Sequence, residues 1–434
     1  MGEGVLMEGR VDVGDSALHG FVRRDGVLTC RGVSLEELAR EHGTPLYVYD
    51  MEGVAARLQR YREVFRELDF LLAYSVKANG SLALLNRIGA LGAGADIVSR
   101  GELHRALTAG IPPERIVYAG VGKGEDEMEA ALEAGIHAFH VESEGELDRL
   151  EEVAARVGRR APVALRVNPD VISPTPHEYT RTGHAATQFG IAHGRALNVY
   201  RERWDSPSLH FRGIDVHIGS QIMEVEPYVQ ALHAVLEMAD VLAGEGMEVE
   251  YVDLGGGFGV AYEGGDPFPL AELARVVVPP LRERGLRLIL EPGRSLVAEA
   301  GVLLVQVRYL KESGGKTFVI MDGGMTELIR PSHYGGYHRV VPVRERKGVT
   351  TRRMDVVGPA CETGDFLARD RELPLPEPGE LLAVETAGAY GFVMASNYNA
   401  RRRPAEVLVE GGIPHLIRSR ETLDDLVRGE EIPE

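Results

Sequence analysis

Short apolar runs alternate with segments of helical spacing along roughly the first two thirds of the chain. Eight runs rich in β-branched residues predict strands, at 71–76, 95–98, 116–119, 138–141, 163–167, 214–218, 251–254 and 286–290. Segments between them, such as 81–92, 99–110 and 144–157, repeat apolar residues at the intervals typical of amphipathic helices. This alternation indicates βα units around a parallel sheet. Eight units within about 250 residues favour a closed (β/α)8 barrel over an open doubly wound sheet.

A different pattern begins near residue 300. Runs at 302–309, 317–321, 354–357 and 381–385 predict strands without long helices between them, and the string PLPEP at 374–378 is a turn-rich break. We therefore predict an α/β protein with two domains. The barrel occupies 41–299, and both chain ends, 1–40 and 300–434, form a second, mostly antiparallel β domain.

Polar side chains stand at the ends of the predicted barrel strands. Lys77 follows the first strand, His217 and Ser220 follow the sixth, and Glu291 follows the eighth. The carboxyl ends of the strands of such a barrel meet on one face, where active sites lie. These residues are distant in sequence, and we expect them around a single pocket.

Two of these strand ends carry strings with recognisable chemistry. Lys77 lies in YSVKAN, and a lysine amine can form a Schiff base with an aldehyde where burial or neighbouring cations depress its pKa. A surface lysine at a strand end is the alternative. The string GGGFG at 255–259 follows the seventh strand, and consecutive glycines let backbone N–H groups approach a phosphate. A tight turn is the alternative there.

Further candidates are a carboxylate, an imidazole and a thiol. A buried Glu291 suits a protonated pyridine nitrogen, and Arg294 offers a fork for a substrate carboxylate, unless the two form a structural salt bridge. His217 suits a position flat on a cofactor ring, although a lone histidine is usually a packed residue. Cys361 can act as a proton donor, and a small buried hydrophobe is the alternative.

The composition of the chain limits the kinds of molecule that it is expected to bind. Lys plus Arg is 48 and Asp plus Glu is 66, so the net charge is -18, which disfavours nucleic acid and anionic membrane surfaces. Two cysteines, Cys30 and Cys361, provide neither a zinc site by themselves nor a disulfide framework, and we predict no metal. The chain lacks an apolar run of membrane-spanning length, and 1–10 lacks a signal-peptide core, which predicts a cytoplasmic location.

Seven strings together resemble one enzyme family. YSVKAN, HIGSQ, GGGFG, EPGRS, LIRPSHY, GPACETGDFLA and AGAYGF, with SNYN three residues later, occur in order over about 44–409. They are similar to the motifs of the diaminopimelate decarboxylases, which are pyridoxal-5'-phosphate (PLP) enzymes of the alanine-racemase-like fold type III. Two positions differ from the common family pattern, with Gln188 in place of lysine and Thr363 in place of serine.

The resemblance implies a role for each matching residue. Lys77 would bind PLP covalently, His217 would stack on the ring, Glu291 would hold the pyridine nitrogen, and Cys361 would donate the proton. The residues around the phosphate would be Ser220, Gly256, Gly257, Gly293, Arg294 and Tyr390. Substrate would contact Arg294, Arg330, Tyr334, Glu362 and Tyr390. Cys361 and Glu362 would reach into the partner's site, which implies a homodimer with shared active sites.

The implied reaction is decarboxylation of the amino acid meso-2,6-diaminopimelate to L-lysine in lysine biosynthesis. Arg294 and Arg330 suit the distal carboxylate of this substrate, and Glu362 suits its distal amine. The alternatives are a related decarboxylase for an ornithine- or arginine-type, carboxynorspermidine or carrier-bound substrate, and a non-catalytic PLP-binding homologue. A racemase is disfavoured, because racemases of this fold use a tyrosine as second base.

Overall fold

The structure is a computed structural model that describes residues 20–169 and 188–434. The strands are β1 (Phe21–Arg24), β2 (Val27–Cys30), β3 (Val33–Ser34), β4 (Leu46–Asp50), β5 (Phe70–Ser75), β6 (Gly94–Ile97), β7 (Ile116–Tyr118), β8 (Ala138–Val141), β9 (Ala161–Asn168), β10 (Ile191–Ala192), β11 (Leu209–Asp215), β12 (Tyr251–Asp253), β13 (Arg287–Leu290), β14 (Gly301–Ser313), β15 (Lys316–Met321), β16 (Val340–Pro342), β17 (Thr351–Val357), β18 (Phe366–Pro374), β19 (Leu381–Val384), β20 (Ala405–Glu410) and β21 (Ile413–Arg418). The α-helices are α1 (Leu35–His42), α2 (Met51–Val64), α3 (Leu82–Ala90), α4 (Arg100–Thr108), α5 (Glu125–Ala134), α6 (Glu144–Val157), α7 (His193–Arg203), α8 (Glu226–Gly244), α9 (Leu270–Arg284), α10 (Arg294–Val297), α11 (Arg330–Tyr334) and α12 (Leu423–Leu426).

Eight parallel strands close into a barrel in the order β5, β6, β7, β8, β9, β11, β12 and β13. The last strand returns to the first, with Leu290 opposite Leu72. The predicted (β/α)8 barrel is therefore confirmed, and each of its eight strands overlaps one of the predicted apolar runs. The strands are recognisable because both of their faces are buried, one against the barrel interior and one against the helices.

Helices α4 and α6 of the barrel begin at serine side-chain caps. The Ser99 side chain accepts the backbone N–H of Glu102 at the start of α4, and Ser143 accepts that of Glu146 at the start of α6. Such caps place each helix start directly after a strand end. The loops on that face differ in length, because two residues separate β6 from α4 whereas 16 residues separate β12 from α9.

The second domain is a mostly antiparallel sheet, as predicted. Its strands run in the order β18, β17, β15, β14, β4, β20 and β21, and only the pairs β15–β17 and β4–β20 on this path are parallel among the described residues. Strand β4 lies inside the range 41–299 predicted for the barrel, yet it pairs with β14 and β20. A buried apolar strand directly before a helix is typical of a βα unit, so the sequence pattern alone does not separate β4 from the barrel strands.

Strands from both ends of the described chain meet on this second sheet, and residues 1–19 of the predicted range 1–40 lie outside the described residues. The small antiparallel sheet of β1, β2 and β3 contacts it, with the backbone N–H of Leu28 bonded to the carbonyl of Val343. The barrel helices begin with α2, directly after β4. Among the helices of the described residues, none is long and apolar enough to cross a membrane.

Candidate active site

Lys77 lies at the carboxyl end of β5, in a single 3-10 turn. Its Nζ is 2.7 Å from Oδ2 of Asp96, a fully buried carboxylate on the neighbouring strand β6. The side chain of Lys77 is 35% exposed, and that of Asp96 is not exposed at all. Lys77 therefore points into the mouth of the barrel and is held by a buried partner, which a surface lysine would lack.

The charge around Lys77 differs from the sequence-based expectation. Burial lowers the pKa of Lys77, but the carboxylates of Asp96 and Glu291 raise it, and the net direction is upward. The neighbours that act on Lys77 are thus anions rather than the cations that would depress its pKa. Asp96 was missed because an acidic residue within an apolar strand has no pairing signal in a single sequence.

The glycine loop after β12 leaves no space for side chains. A Cβ on Gly256 would lie 2.1 Å from the carbonyl oxygen of Glu291, and one on Gly257, whose φ is +89°, would lie 2.1 Å from that of Gly219. The N–H of Gly256 donates to Nδ1 of His217 at 3.2 Å. No hydrogen bond within residues 20–169 and 188–434 occupies the backbone N–H of Gly257 or of Gly293, so both donors suit a phosphate.

His217 is a neutral imidazole with a fixed tautomer. Burial lowers its pKa well below the ordinary value, and the nearby cations Arg166 and Lys77 act in the same direction. Because Nδ1 accepts the Gly256 N–H, the ring proton lies on Nε2. A neutral, oriented imidazole suits contact with the face of a flat ring.

Glu291 does not form the alternative salt bridge with Arg294. Its carboxylate is buried, and Oε1 lies 3.5 Å from Nδ1 of His140, at the outer limit of hydrogen-bond distance. That oxygen has no hydrogen-bond partner within the described part of the chain. A buried carboxylate needs hydrogen-bond donors around its oxygens, and a protonated ring nitrogen of PLP would supply one of them.

Six of the predicted residues line one cavity of about 540 Å³: His217, Ser220, Arg294, Arg330, Tyr334 and Tyr390. Lys77 is not one of the lining residues, but Tyr390, which is, donates its N–H to the carbonyl of the adjacent Ala78 at 2.8 Å. Tyr390 has a φ of +55°, and its ring centre lies 4.7 Å from the guanidinium carbon of Arg294. The hydrogen bond between Tyr390 and Ala78 joins the β domain to the end of β5.

Two buried arginines face the cavity without a counter-ion. Arg294 donates to the hydroxyl of Tyr262 at 2.8 Å and to that of Ser220 at 3.1 Å. Arg330 donates to Nε2 of His338 at 2.7 Å. Among the described residues, no carboxylate lies within ion-pair distance of either guanidinium. Two buried cations without an anion are unfavourable, which makes this end of the cavity a site for carboxylate or phosphate.

His338 and Tyr262 organise these arginines, and neither was predicted. A guanidinium only donates, so Nε2 of His338 accepts, and its Nδ1–H donates to the carbonyl of Glu385 at 2.9 Å. Burial, with Arg330 adding to it, lowers the pKa of His338 to about 3, so the ring is neutral. The ring of Tyr262 lies 4.4 Å from the guanidinium carbon of Arg330 and 5.9 Å from that of Arg294.

Cys361 and Glu362 lie elsewhere in the chain. Both are exposed, they occupy the turn between β17 and β18, and neither lines the cavity. The alternative of a small buried hydrophobe does not apply to Cys361, whereas it describes Cys30. The backbone N–H of Cys361 donates to Oδ1 of Asn399 at 3.2 Å, so the turn has a defined position.

Comparison with known proteins agrees with this arrangement. Residues 51–298 match the family model described as pyridoxal-dependent decarboxylase, pyridoxal binding domain. Diaminopimelate decarboxylase of Pseudomonas aeruginosa is 49% identical over 412 residues, which cover 95% of this chain and 99% of the relative. The enzyme of the same name from Aquifex aeolicus is 49% identical over 407 residues, covering 93% and 96%.

Solved structures agree in fold. Diaminopimelate decarboxylase from M. jannaschii superposes with a TM-score of 0.91 at 36% identity, covering 97% of this chain and 99% of that one. The enzyme of this name from Helicobacter pylori, in complex with L-lysine, gives a TM-score of 0.87 at 40% identity, covering 91% and 98%. The similarity therefore extends over both domains.

Proposed function

The chain belongs to the diaminopimelate decarboxylases within the pyridoxal-dependent decarboxylase family, and we propose that the cavity between Lys77 and the two buried arginines is its active site. The enzyme uses PLP to convert meso-2,6-diaminopimelate to L-lysine and CO2. The observation that carries the proposal is the pair Arg294 and Arg330, buried without a counter-ion from residues 20–169 or 188–434, in the cavity that also contains His217 and Ser220.

PLP, when bound, supplies the electron sink that accepts the electron pair left behind by the departing carboxylate. Lys77 would hold the cofactor covalently, and Glu291 would accept a hydrogen bond from its protonated ring nitrogen. His217, whose burial lowers its pKa, would lie against the ring face with its imidazole. Each of these groups lies at the end of a barrel strand, and this fixes its direction before substrate enters.

The phosphate of PLP is assigned to Ser220, Gly256, Gly257, Gly293, Arg294 and Tyr390. Gly256 contributes by lacking a side chain rather than by donating, because its N–H already bonds to His217. The donors are then the N–H groups of Gly257 and Gly293 and the hydroxyl of Ser220. Arg294 provides the charge, and its contact with Ser220 at 3.1 Å keeps the two groups together.

The distal amino acid group of the substrate is assigned to the far end of the cavity. Arg330, with Arg294 beside it, binds the distal carboxylate, and Tyr334 and Tyr390 line the passage. His338 keeps Arg330 oriented, because it occupies Nη1 and leaves the remaining donors for the ligand. Glu362 binds the distal amine, and Cys361 donates the proton that replaces CO2.

A homodimer with shared active sites follows from the last two assignments. Cys361 and Glu362 are exposed and outside the cavity of their own chain, which supports their service in the site of a partner subunit. We also propose a cytoplasmic location, supported by the place of this reaction in lysine biosynthesis. The domain limits at 40 and 299 and the individual residue roles stay predictions.

Replacing Glu291 with glutamine should leave PLP bound and slow decarboxylation by about 10²-fold or more, since a neutral amide does not hold the ring proton. The measurement is kcat with saturating cofactor, together with the PLP content of the purified variant. Glu327→Gln is the matched control, because Glu327 is equally buried but lies in the β domain, bonded to the N–H of Gly324. Turnover of Glu291→Gln equal to that of the control would remove Glu291 from this role.

Substrate preference should depend on Arg330. We expect meso-diaminopimelate to be decarboxylated far better than L-lysine or L-ornithine, which lack the distal carboxylate and leave a buried arginine unpaired, at a cost of about 1–3 kcal/mol, or roughly 5- to 150-fold. Arg330→Ala should narrow the ratio of kcat/KM values by weakening only the reaction of diaminopimelate.

The control for this experiment is Arg352→Ala, an exposed arginine of β17 that pairs with Glu312. It should leave all three kcat/KM values within a factor of about two. If lysine or ornithine matches diaminopimelate with the unmodified enzyme, the assignment of Arg330 to a distal carboxylate fails. The cofactor assignments would be unaffected by that result.

A further inference from the structure

A cluster of four buried titratable side chains lies behind Glu291. His140 on β8 places Nδ1 3.5 Å from Oδ2 of Asp215 and 3.5 Å from Oε1 of Glu291, and its Nε2 is 3.8 Å from Oδ2 of Asp253. One ligand atom from each of the four groups lies within 4.8 Å of the others. His140 and Asp253 are completely buried, and the other two are nearly so.

The cluster has more acceptors than donors. Both ring nitrogens of His140, Oδ1 of Asp215, Oδ2 of Asp253 and Oε1 of Glu291 have no hydrogen-bond partner within the part of the chain that the structure describes. Three carboxylates cannot all remain ionised in so small a buried volume without cations or protons between them. The imidazole stands at their centre and is the group that can carry a proton toward all three.

We propose that His140, together with Asp215 and Asp253, is a positioning unit that holds a shared proton behind Glu291 and keeps its carboxylate aimed at the ring nitrogen of PLP. This inference rests on the proposed role of Glu291. As an imidazolium, His140 donates from Nδ1 between Asp215 and Glu291 and from Nε2 toward Asp253. The ring would then fix one carboxylate oxygen of Glu291, and the other remains for the cofactor.

The shifts in proton affinity agree with the geometry. Burial lowers the pKa of His140, but Asp215 and Glu291 raise it, and the net direction is upward. Burial raises the pKa of Asp215 to about 7, opposed by His140 and reinforced by Glu291. Burial and the neighbouring carboxylates raise the pKa of Asp253 well above its ordinary value. The protonated form of Asp253 is therefore favoured relative to an ordinary aspartate, and Asp215 loses its proton as the pH rises through about 7.

Other charged groups act on the cluster from the strands packed around it. They are Asp96 on β6, Arg166 on β9, which is paired with Glu142, and Tyr251 on β12, whose ring centre is 6.4 Å from that of His140. Arg166 favours the ionised form of Asp215, and Asp96 favours the protonated form of His140. None of these groups comes between His140 and Glu291, so the ring remains the direct neighbour of the carboxylate.

A divalent cation is the alternative occupant, because imidazole and carboxylates are also metal ligands. A cation on Oε1 of Glu291 would repel the protonated ring nitrogen that the same carboxylate is assigned to hold. The proton is compatible with that role, since the positive charge of His140 is balanced by Asp215. Metal content is therefore one of the outcomes that the test must measure.

The first measurement needs no variant. In holoenzyme labelled with ¹⁵N-histidine, the ring of His140 should keep the imidazolium pattern over a pH range above the ordinary histidine pKa of ~6.5, because its pKa is raised. A neutral ring over this range would overturn the proposal. So would one equivalent of a divalent metal in the purified enzyme that is lost in His140→Gln.

The second measurement compares His140→Gln with His137→Gln, both as holoenzymes. His137 is also buried, and its ring packs on Tyr251 at 5.3 Å, but it is not part of the cluster. His140→Gln should lower kcat by about 10- to 100-fold, which is the range typical of replacing a residue that orients a directly binding side chain. KM should be nearly unchanged. It should also displace the pH dependence of the absorbance of bound PLP, whereas His137→Gln should not.

The outcomes separate this inference from the role of Glu291. If Glu291→Gln is slow but His140→Gln has the spectrum, pH profile and kcat of the unmodified enzyme, the positioning unit is wrong and the role of Glu291 stands. If Glu291→Gln turns over normally, the proposed function of that residue fails first. The NMR measurement on unmodified holoenzyme decides the case in which His140→Gln does not fold.

Discussion

Replacing Lys77 with alanine is expected to abolish covalent attachment of PLP and to lower kcat by at least roughly 10⁴-fold, which is the scale for loss of a residue that carries covalent chemistry. Lys77 is held at the end of β5 by the buried carboxylate of Asp96, with 2.7 Å between Nζ and Oδ2. The measurement is kcat with added PLP, together with borohydride reduction of the unmodified enzyme and identification of the modified peptide.

The labelling experiment can identify a single attachment site because the chain contains five lysines: Lys77, Lys123, Lys311, Lys316 and Lys347. Lys123 is the matched alternative, since it is also largely buried and its Nζ bonds to Glu146 at 2.7 Å. It donates in addition to two backbone carbonyls, so its three protons are already used. Cofactor found on Lys123, or full turnover by Lys77→Ala, would refute the assignment of Lys77.

The barrel was predictable from the sequence because its strands are buried on both faces. Such strands are continuous apolar runs, and each is followed by a polar residue at the active-site face, as with Lys77 after β5 and Glu291 after β13. Strand β4 has the same character and the same helix after it, but it pairs with β14. Pairing partners are long-range facts that a local pattern does not contain.

The residues of the site were predictable where a motif surrounds them, and not where only the fold brings them together. Asp96 acts on Lys77 from the neighbouring strand, and His338 acts on Arg330 after an intervening turn. Tyr262 touches Arg294 from a loop whose sequence neighbours suggest only a turn. His140 lies in a strand whose other residues are apolar, so a single sequence gives no reason to connect it with Glu291.

A shared active site should be demonstrable by mixing two inactive subunits. Lys77→Ala lacks the residue that binds the cofactor, and Cys361→Ala lacks the proposed proton donor. In a heterodimer, one site combines the Lys77 of one chain with the Cys361 of the other, and the second site has neither. With equal amounts and complete exchange, half of the dimers are mixed, so about a quarter of the unmodified activity should return.

The control for this experiment is a mixture of Lys77→Ala with Glu291→Gln. Both residues lie on the same barrel, because β13, which precedes Glu291, pairs directly with β5, which precedes Lys77. Every site in that mixture has one of the two defects, so no activity should return beyond that of the separate variants. Cys361 differs from Lys77 and Glu291 because it is exposed and does not line the cavity of its own chain.

If subunit exchange is demonstrated by mass spectrometry and the Lys77→Ala and Cys361→Ala mixture stays inactive, each chain contains a complete site. The assignment of Cys361 and Glu362 to the partner would then be wrong.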